Sequence, residues 1–247
     1  MLSSRLQLEI LPQPTPTSCG PTCLHSVYRY YGDEISLARV IQEAGSLKSG
    51  GTLAVLLACH ALERGYHATI YTYNLEVFDP TWFDAEGGVS AELSKKLRQR
   101  LKAKKGKRLK IEIKAYLRFI ELGGVIRFQD LTQKLIVEHL HQGRPLLTGL
   151  SATYLYRTPR EYGRKFIDDD VRGEPSGHFV VLSGYDPKER EVAVADPLDP
   201  NPPFDRHYYT VQMDRLICAI MLGILTYDAN VLVVTPGAGT PTTGESA

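Results

Sequence analysis

The chain lacks any apolar run long enough to cross a membrane. Its most hydrophobic stretch, Leu216 to Leu225, reads LICAIMLGIL. That is far short of the roughly 20 residues a membrane helix needs, so it reads as a buried helix or strand. The opening MLSSRLQLEI has neither the apolar core nor the small-residue cleavage site of a secretory signal. There are only four cysteines, Cys19, Cys23, Cys59 and Cys218, too few for a disulfide scaffold. With no export signal they are expected to be reduced thiols, which places the protein in the cytoplasm. Internal repeats are absent, and net charge is nearly so, at +1. With 43% hydrophobic and 23% charged residues among 247, the composition excludes disordered and collagen-like chains.

What is present divides into thirds. The first third reads as helices over Cys19–Tyr31, Ser36–Ala44 and Thr52–Arg64, followed by a Thr/Tyr-rich strand, His67–Tyr73. The middle reads as a turn at Asp79-Pro80 and two amphipathic stretches, Ser90–Lys104 and onward to Leu122. A helix, Gln129–His141, then leads into a strand, Pro145–Leu150. The last third reads as strands over His178–Tyr185, Glu191–Ala195, Tyr208–Val211 and Val231–Thr235, with a helix from Met213 to about Gly223. Helices first and antiparallel strands afterwards is an α+β pattern. One domain is expected over residues 1–235, with 74–128 inserted in it. The Gly/Pro/Thr/Ser-rich residues 236–247 are expected to form a disordered tail.

Chemistry gathers at Gln13-Pro-Thr-Pro-Thr-Ser-Cys19-Gly-Pro-Thr-Cys23, where a loop becomes an apolar helix. A cysteine at a helix N-terminus meets the positive end of the dipole and unpaired N–H groups, which favour thiolate over thiol. Gly20 allows a substrate close to the backbone, and Pro21 fits a first helical turn. Such a nucleophile needs a base, and the base needs an orienting group. His178 opens the apolar strand after Ser176-Gly177, and Asp196 ends the next strand, Val192-Ala-Val-Ala-Asp196-Pro197. If the strands pair through the turn at 186–190, Asp196 comes within reach of the His178 ring. Gln13 is placed to return its amide toward the thiol and donate to an oxyanion, together with the Cys19 N–H.

This pattern of Gln-x5-Cys-Gly, Gly-His-Phe-Val-Val-Leu and a strand ending in Asp-Pro resembles the bacteriocin-processing cysteine peptidases. That family includes the exporter domains that cleave double-glycine leader peptides. The resemblance covers residues 13–73 and about 129–235. It implies a papain-like fold, with a helical half carrying the cysteine and a strand half carrying the histidine. It also implies Cys19 as nucleophile, His178 as base, Asp196 as orienter and Gln13 in the oxyanion hole. The chain departs from the family at Ser18, where an acid is frequent, and in residues 74–128, which have no recognised counterpart. It also lacks the exporters' membrane and ATPase domains, which implies a stand-alone enzyme.

The expected activity is therefore hydrolysis of a peptide or protein substrate through a Cys19 acyl-enzyme. The same site would also serve an acyltransferase, amidase or deamidase. Tyr154 and Tyr156, at the entrance to the long polar loop 157–177, are further candidates for substrate contact, with Gly20, Ser176 and Gly177. No cofactor is expected. Cys19, Cys23 and His25 lack a second ligand pair at zinc spacing, and Asp168-Asp-Asp170 lacks the spaced ligands of a calcium loop. Lys95 to Lys114 holds 11 Lys/Arg and one acid, so a +10 segment sits in a −9 remainder. Such a segment reads as a solvated helix face. As an alternative it would bind RNA, an anionic surface or an acidic protein, the last as a non-catalytic adaptor.

Overall fold

The computed structural model describes residues 4–45, 47, 51–163, 166–201, 204–226, 229–238 and 240. A short strand, β1 (Ser4–Arg5), precedes three helices, α1 (Cys19–Tyr30), α2 (Leu37–Glu43) and α3 (Ala54–Glu63). Ser36 caps α2 by accepting the Arg39 N–H, as its residue type predicts. Gly65, at φ +84°, turns the chain out of α3 into β2 (His67–Thr72). The middle third supplies α4 (Leu93–Ala103), α5 (Lys107–Glu121), β3 (Val125–Arg127) and α6 (Gln133–His141). Thr132 caps α6 through the Leu135 N–H, so this helix starts four residues after the expected Gln129. Then come β4 (Leu146–Ser151), α7 (Ala152–Tyr156), the small hairpin β5 (Glu161–Tyr162) and β6 (Ile167–Asp168), and β7 (Gly177–Asp186). The chain closes with β8 (Glu191–Ala195), β9 (Tyr208–Gln212), α8 (Met213–Leu222) and β10 (Asn230–Thr235).

The main sheet runs β3-β2-β10-β4-β7-β8-β9, with β1 adding to β7. Its pairs are antiparallel except β2 with β3. The run Phe179-Val-Val-Leu182 is apolar without alternation because β7 is covered on both faces. Phe179 and Val181 join the cluster under α1, α3 and α5, and Val180 and Leu182 join the one under α6 and α8. The sheet is thus sandwiched between helices. The sequence expectation of a helical half beside a strand half is refined accordingly.

Residues 74–128, expected as an insertion, are part of the first core. Leu97, Ile113, Tyr116 and Phe119 are fully buried among Leu24, Leu57 and Leu232. Burying such side chains is worth about 1.5–3 kcal/mol each. The basic residues of α4 and α5 cover the outside, and several are answered within the chain. Lys95 pairs with Glu92 and Arg98 with Glu121, while Arg100 donates to the Glu76 carbonyl. The solvated helix face is the reading this arrangement carries. An RNA or acidic-protein partner gains nothing from it.

The start of the expected tail is docked, since Thr240 Oγ1 donates to the Gly65 carbonyl (3.2 Å). The rest of the tail, 241–247, lies outside the described residues. Among the described residues, no helix is long and apolar enough to cross a membrane.

Candidate active site

Three elements converge on one point. Cys19 is the first residue of α1, His178 the second of β7, and Asp196 directly follows β8. The β7–β8 hairpin pairs Val181 with Ala195, which sets the start of one strand beside the end of the other. His178 Nε2 donates to Asp196 Oδ1 at 2.8 Å. Helix α1 is held against β7 by Cys23, one turn below Cys19, whose thiol donates to the Phe179 carbonyl (3.2 Å). Burial first, then electrostatic repulsion from the Cys19 and Asp196 side, pushes the Cys23 thiol well above its ordinary range, so it stays protonated and can donate. This docking sets the Cys19 thiol beside the His178 ring, close enough for the two to interact electrostatically.

All three side chains are buried, Asp196 completely. Burial alone would strip the proton from the His178 ring, but the Asp196 carboxylate, its hydrogen bond and the Cys19 contact outweigh it. The imidazolium is therefore favoured well above its ordinary range. Burial likewise opposes the Asp196 charge. His178 and the hydroxyls of Tyr156 and Tyr209 outweigh it and hold the carboxyl below the usual carboxylate range.

The loop before Cys19 is tied by its own hydroxyls. Thr15 N–H donates to Ser18 Oγ, and Ser18 Oγ donates to the Thr15 carbonyl (3.0 and 2.9 Å). Ser18 stands at the N-cap of α1, yet its side chain is turned back and makes no cap bond. Gln13 is brought beside the site, its N–H on the Pro197 carbonyl at 2.8 Å. Its side-chain amide donates to the Thr15 carbonyl (3.1 Å), and its Oε1 is buried without a partner.

The expected substrate contacts divide. Gly20 is buried, and its missing side chain serves packing, since a Cβ there would stand 2.5 Å from Thr52 Cγ2 and 3.2 Å from Phe179. Tyr156 is also turned inward, its hydroxyl donating to Asp196 Oδ2 at 2.5 Å. Tyr154 is partly exposed beneath the Arg215 guanidinium, 5.0 Å from its ring centroid. Ser176 is tied to α7 by its N–H on Thr153 Oγ1 (2.9 Å), and Gly177 pairs with Ser151, which together fix the approach to His178. Sequence reasoning missed Tyr209 and Asn201, which donate to Asp196 Oδ2 at 2.6 and 3.2 Å. The alternation of β9, with Tyr209 and Val211 buried and Tyr208, Thr210 and Gln212 exposed, is the signal that could have found Tyr209. Among the described residues, no group of three His, Cys, Asp or Glu is gathered as for a metal ion.

The pattern of the Peptidase_C39 like family matches residues 5–216. No curated protein matches the chain. Among solved structures, a C39-like peptidase from Bacillus anthracis is similar in fold at a TM-score of 0.51 and 13% identity, covering 95% of this chain and 98% of that one. A double glycine motif protease from an AMS/PCAT transporter, solved in complex with the leader peptide, gives 0.45 at 14% identity, with 96% and 99% covered. Xylellain, a cysteine protease from Xylella fastidiosa, gives 0.43 at 15% identity, with 95% and 85% covered.

Proposed function

We propose a reaction cycle for this chain, which belongs to the Peptidase_C39 like family and is a cysteine-type peptidase, in which Cys19 is the nucleophile, His178 the acid and base, and Asp196 the orienting group. The observation that carries it is the division of the His178 ring. Its Nε2 is committed to a buried carboxylate (2.8 Å), which leaves Nδ1 for the thiol of Cys19.

The Cys19 thiolate adds to a peptide carbonyl, and the carbonyl oxygen takes up the negative charge. As the tetrahedral species collapses, the His178 imidazolium gives its proton to the departing amine, leaving a thioester. Water then attacks the thioester while His178 takes a proton from it. Collapse releases the carboxylic acid product and restores thiolate and imidazolium. Two features support an oxyanion hole at the start of α1. Ser18 does not cap the helix, so the first-turn N–H groups are free of a side-chain acceptor. The Gln13 amide nitrogen keeps one hydrogen on Thr15 and has a second to donate. Bound peptide would also supply the donor that the buried Gln13 Oε1 lacks.

Cys19→Ala is expected to abolish cleavage of a peptide library. Iodoacetamide should inactivate the native chain in step with modification of Cys19, read by peptide mass spectrometry. A Cys19→Ala chain that still cleaves would sink the reading.

A further inference from the structure

We propose that Tyr156 and Tyr209 are positioning residues that hold Asp196 ionised and aimed at His178, by placing two phenol donors on the carboxylate oxygen that the histidine does not use. The proposal rests on the reading of Asp196 as the orienting group of His178.

Five donors meet on this one carboxylate. Oδ1 accepts from His178 Nε2 (2.8 Å) and from the Leu198 N–H (2.9 Å). Oδ2 accepts from Tyr156 (2.5 Å), Tyr209 (2.6 Å) and Asn201 Nδ2 (3.2 Å). Water has no access to Asp196, so these groups replace its hydration entirely. They arrive from separate parts of the fold, Tyr156 from α7, Tyr209 from β9 and Asn201 from the loop after β8. A carboxylate held from so many directions cannot rotate about its χ2, and Oδ1 stays on the histidine.

The two phenols are themselves braced. Phe204 stacks on Tyr209, with ring centroids 3.6 Å apart and planes at 7°, and meets Tyr156 edge-on at 6.1 Å. Burial and the negative charge they face keep both hydroxyls protonated far into the alkaline range, so they remain donors wherever the enzyme works. The other titratable groups facing Asp196 are His178 on β7, Cys23 on α1, and His207, whose Nδ1 lies 2.8 Å from the Asp196 carbonyl. Among these groups only His178 brings positive charge to the carboxylate oxygens, and it uses Oδ1. Oδ2 therefore depends on the neutral donors.

Removing one phenol hydroxyl withdraws a hydrogen bond from a buried anion. The carboxyl should then take up its proton about one pH unit higher or more. Once protonated, it no longer holds the imidazolium, and the thiolate loses its counter-ion from the acid side.

The test uses the full chain with Tyr156→Phe, Tyr209→Phe and the double variant, which keep both rings and their packing on Phe204. The Asp196 carboxyl is titrated by 13C NMR with labelled aspartate. Iodoacetamide modification of Cys19 is followed against pH by peptide mass spectrometry, which separates Cys19 from the exposed Cys218. Each single variant is expected to raise the Asp196 midpoint by about one unit, the double to raise it further, with the acid limb of Cys19 modification moving in the same order. Variants that melt earlier but keep the native midpoint would show a merely structural role and overturn the proposal. If the double variant does not fold, the singles decide. Asp196→Asn separates the two levels. A Cys19 profile unchanged in Asp196→Asn overturns the orienting role itself, whereas a changed one beside unmoved Phe variants overturns only the tyrosines.

Discussion

His178 and Asp196 are bound to each other in a site that would reject either charge alone. Burial works against the imidazolium and against the carboxylate, and the hydrogen-bonded pair overcomes both. The direction of each shift sets two pH dependences. Because His178 holds its proton well above the ordinary 6.5 and that proton goes to the departing amine, the alkaline limb of peptide cleavage is expected well above neutral pH. In Asp196→Asn the larger part of the opposing attraction is gone and burial weighs more, so that limb should fall toward 6.5, measured as the rate of peptide cleavage against pH. Stability follows the same logic. The contribution of His178 is complete below 6.5 and is lost as pH rises through its raised folded value. That of Asp196 is complete above 3.8 and is lost as pH falls through its lowered one. The advantage of the native chain over Asp196→Asn in urea unfolding should therefore be largest between 3.8 and 6.5 and shrink on both sides. An advantage that does not vary with pH would contradict the pairing.

At the scale of elements, the start of α1 is positioned by contact rather than by a cap. Gly20 lets the first turn press against Thr52, Leu57 and Phe179. Thr52 Cγ2 and the Phe179 ring stand in the way of a methyl group, so Gly20→Ala should cost about 1–3 kcal/mol. It should also slow Cys19 alkylation, because α1 must back away from β7. Thermal melting and the alkylation rate together check this, and a native rate at a native melting temperature would refute it. The same contact explains what the sequence allowed to be read. Cys19, His178 and Asp196 were legible because each stands at an element boundary that local signals mark: Ser-Cys-Gly-Pro, Gly-His before an apolar run, Asp-Pro after one. The long helices and β7 were legible from periodicity and from unbroken apolar character. Short elements were not. Ala152-Thr-Tyr-Leu-Tyr156 is rich in strand formers and is too short for a helical period to show. Yet Ser151 caps it through the Tyr154 N–H, and Arg157 ends it in a left-handed conformation (φ 56°) where glycine would have been a clearer signal. The reversal turns Tyr156 from a substrate contact into a partner of Asp196. Strand β3 is three residues long, too short for any period to show, and only its parallel pairing with β2 defines it.

Across the whole molecule, the near-zero net charge conceals a division that packing, not charge, resolves. The basic middle segment differs in composition from the rest, yet its apolar side completes the core over which α1 and α3 lie. Phe119 shows how firmly. It is fully buried, and its ring lies against Gly124, where no Cβ could fit. From there the chain enters β3 and pairs with β2, while Arg118, next to Phe119, bonds Glu63 of α3 at 2.7 Å. Segment and body should therefore unfold together. Truncating this ring by Phe119→Ala should cost about 3–5 kcal/mol, from lost burial and the cavity left behind. For a chain of this size that corresponds to a melting temperature lower by about 10 °C. Circular dichroism and hydrogen exchange should report one cooperative transition, with exchange of β2 and α3 amides speeding up along with those of α5. A detachable insertion would behave otherwise, with α4 and α5 loosening while β7, β8 and the Cys19 alkylation rate kept their native values. That second pattern would restore the view of residues 74–128 as an appendage. The first would make the basic helices a structural half of the peptidase, with their lysines spread over the outer side of a core that the active site needs.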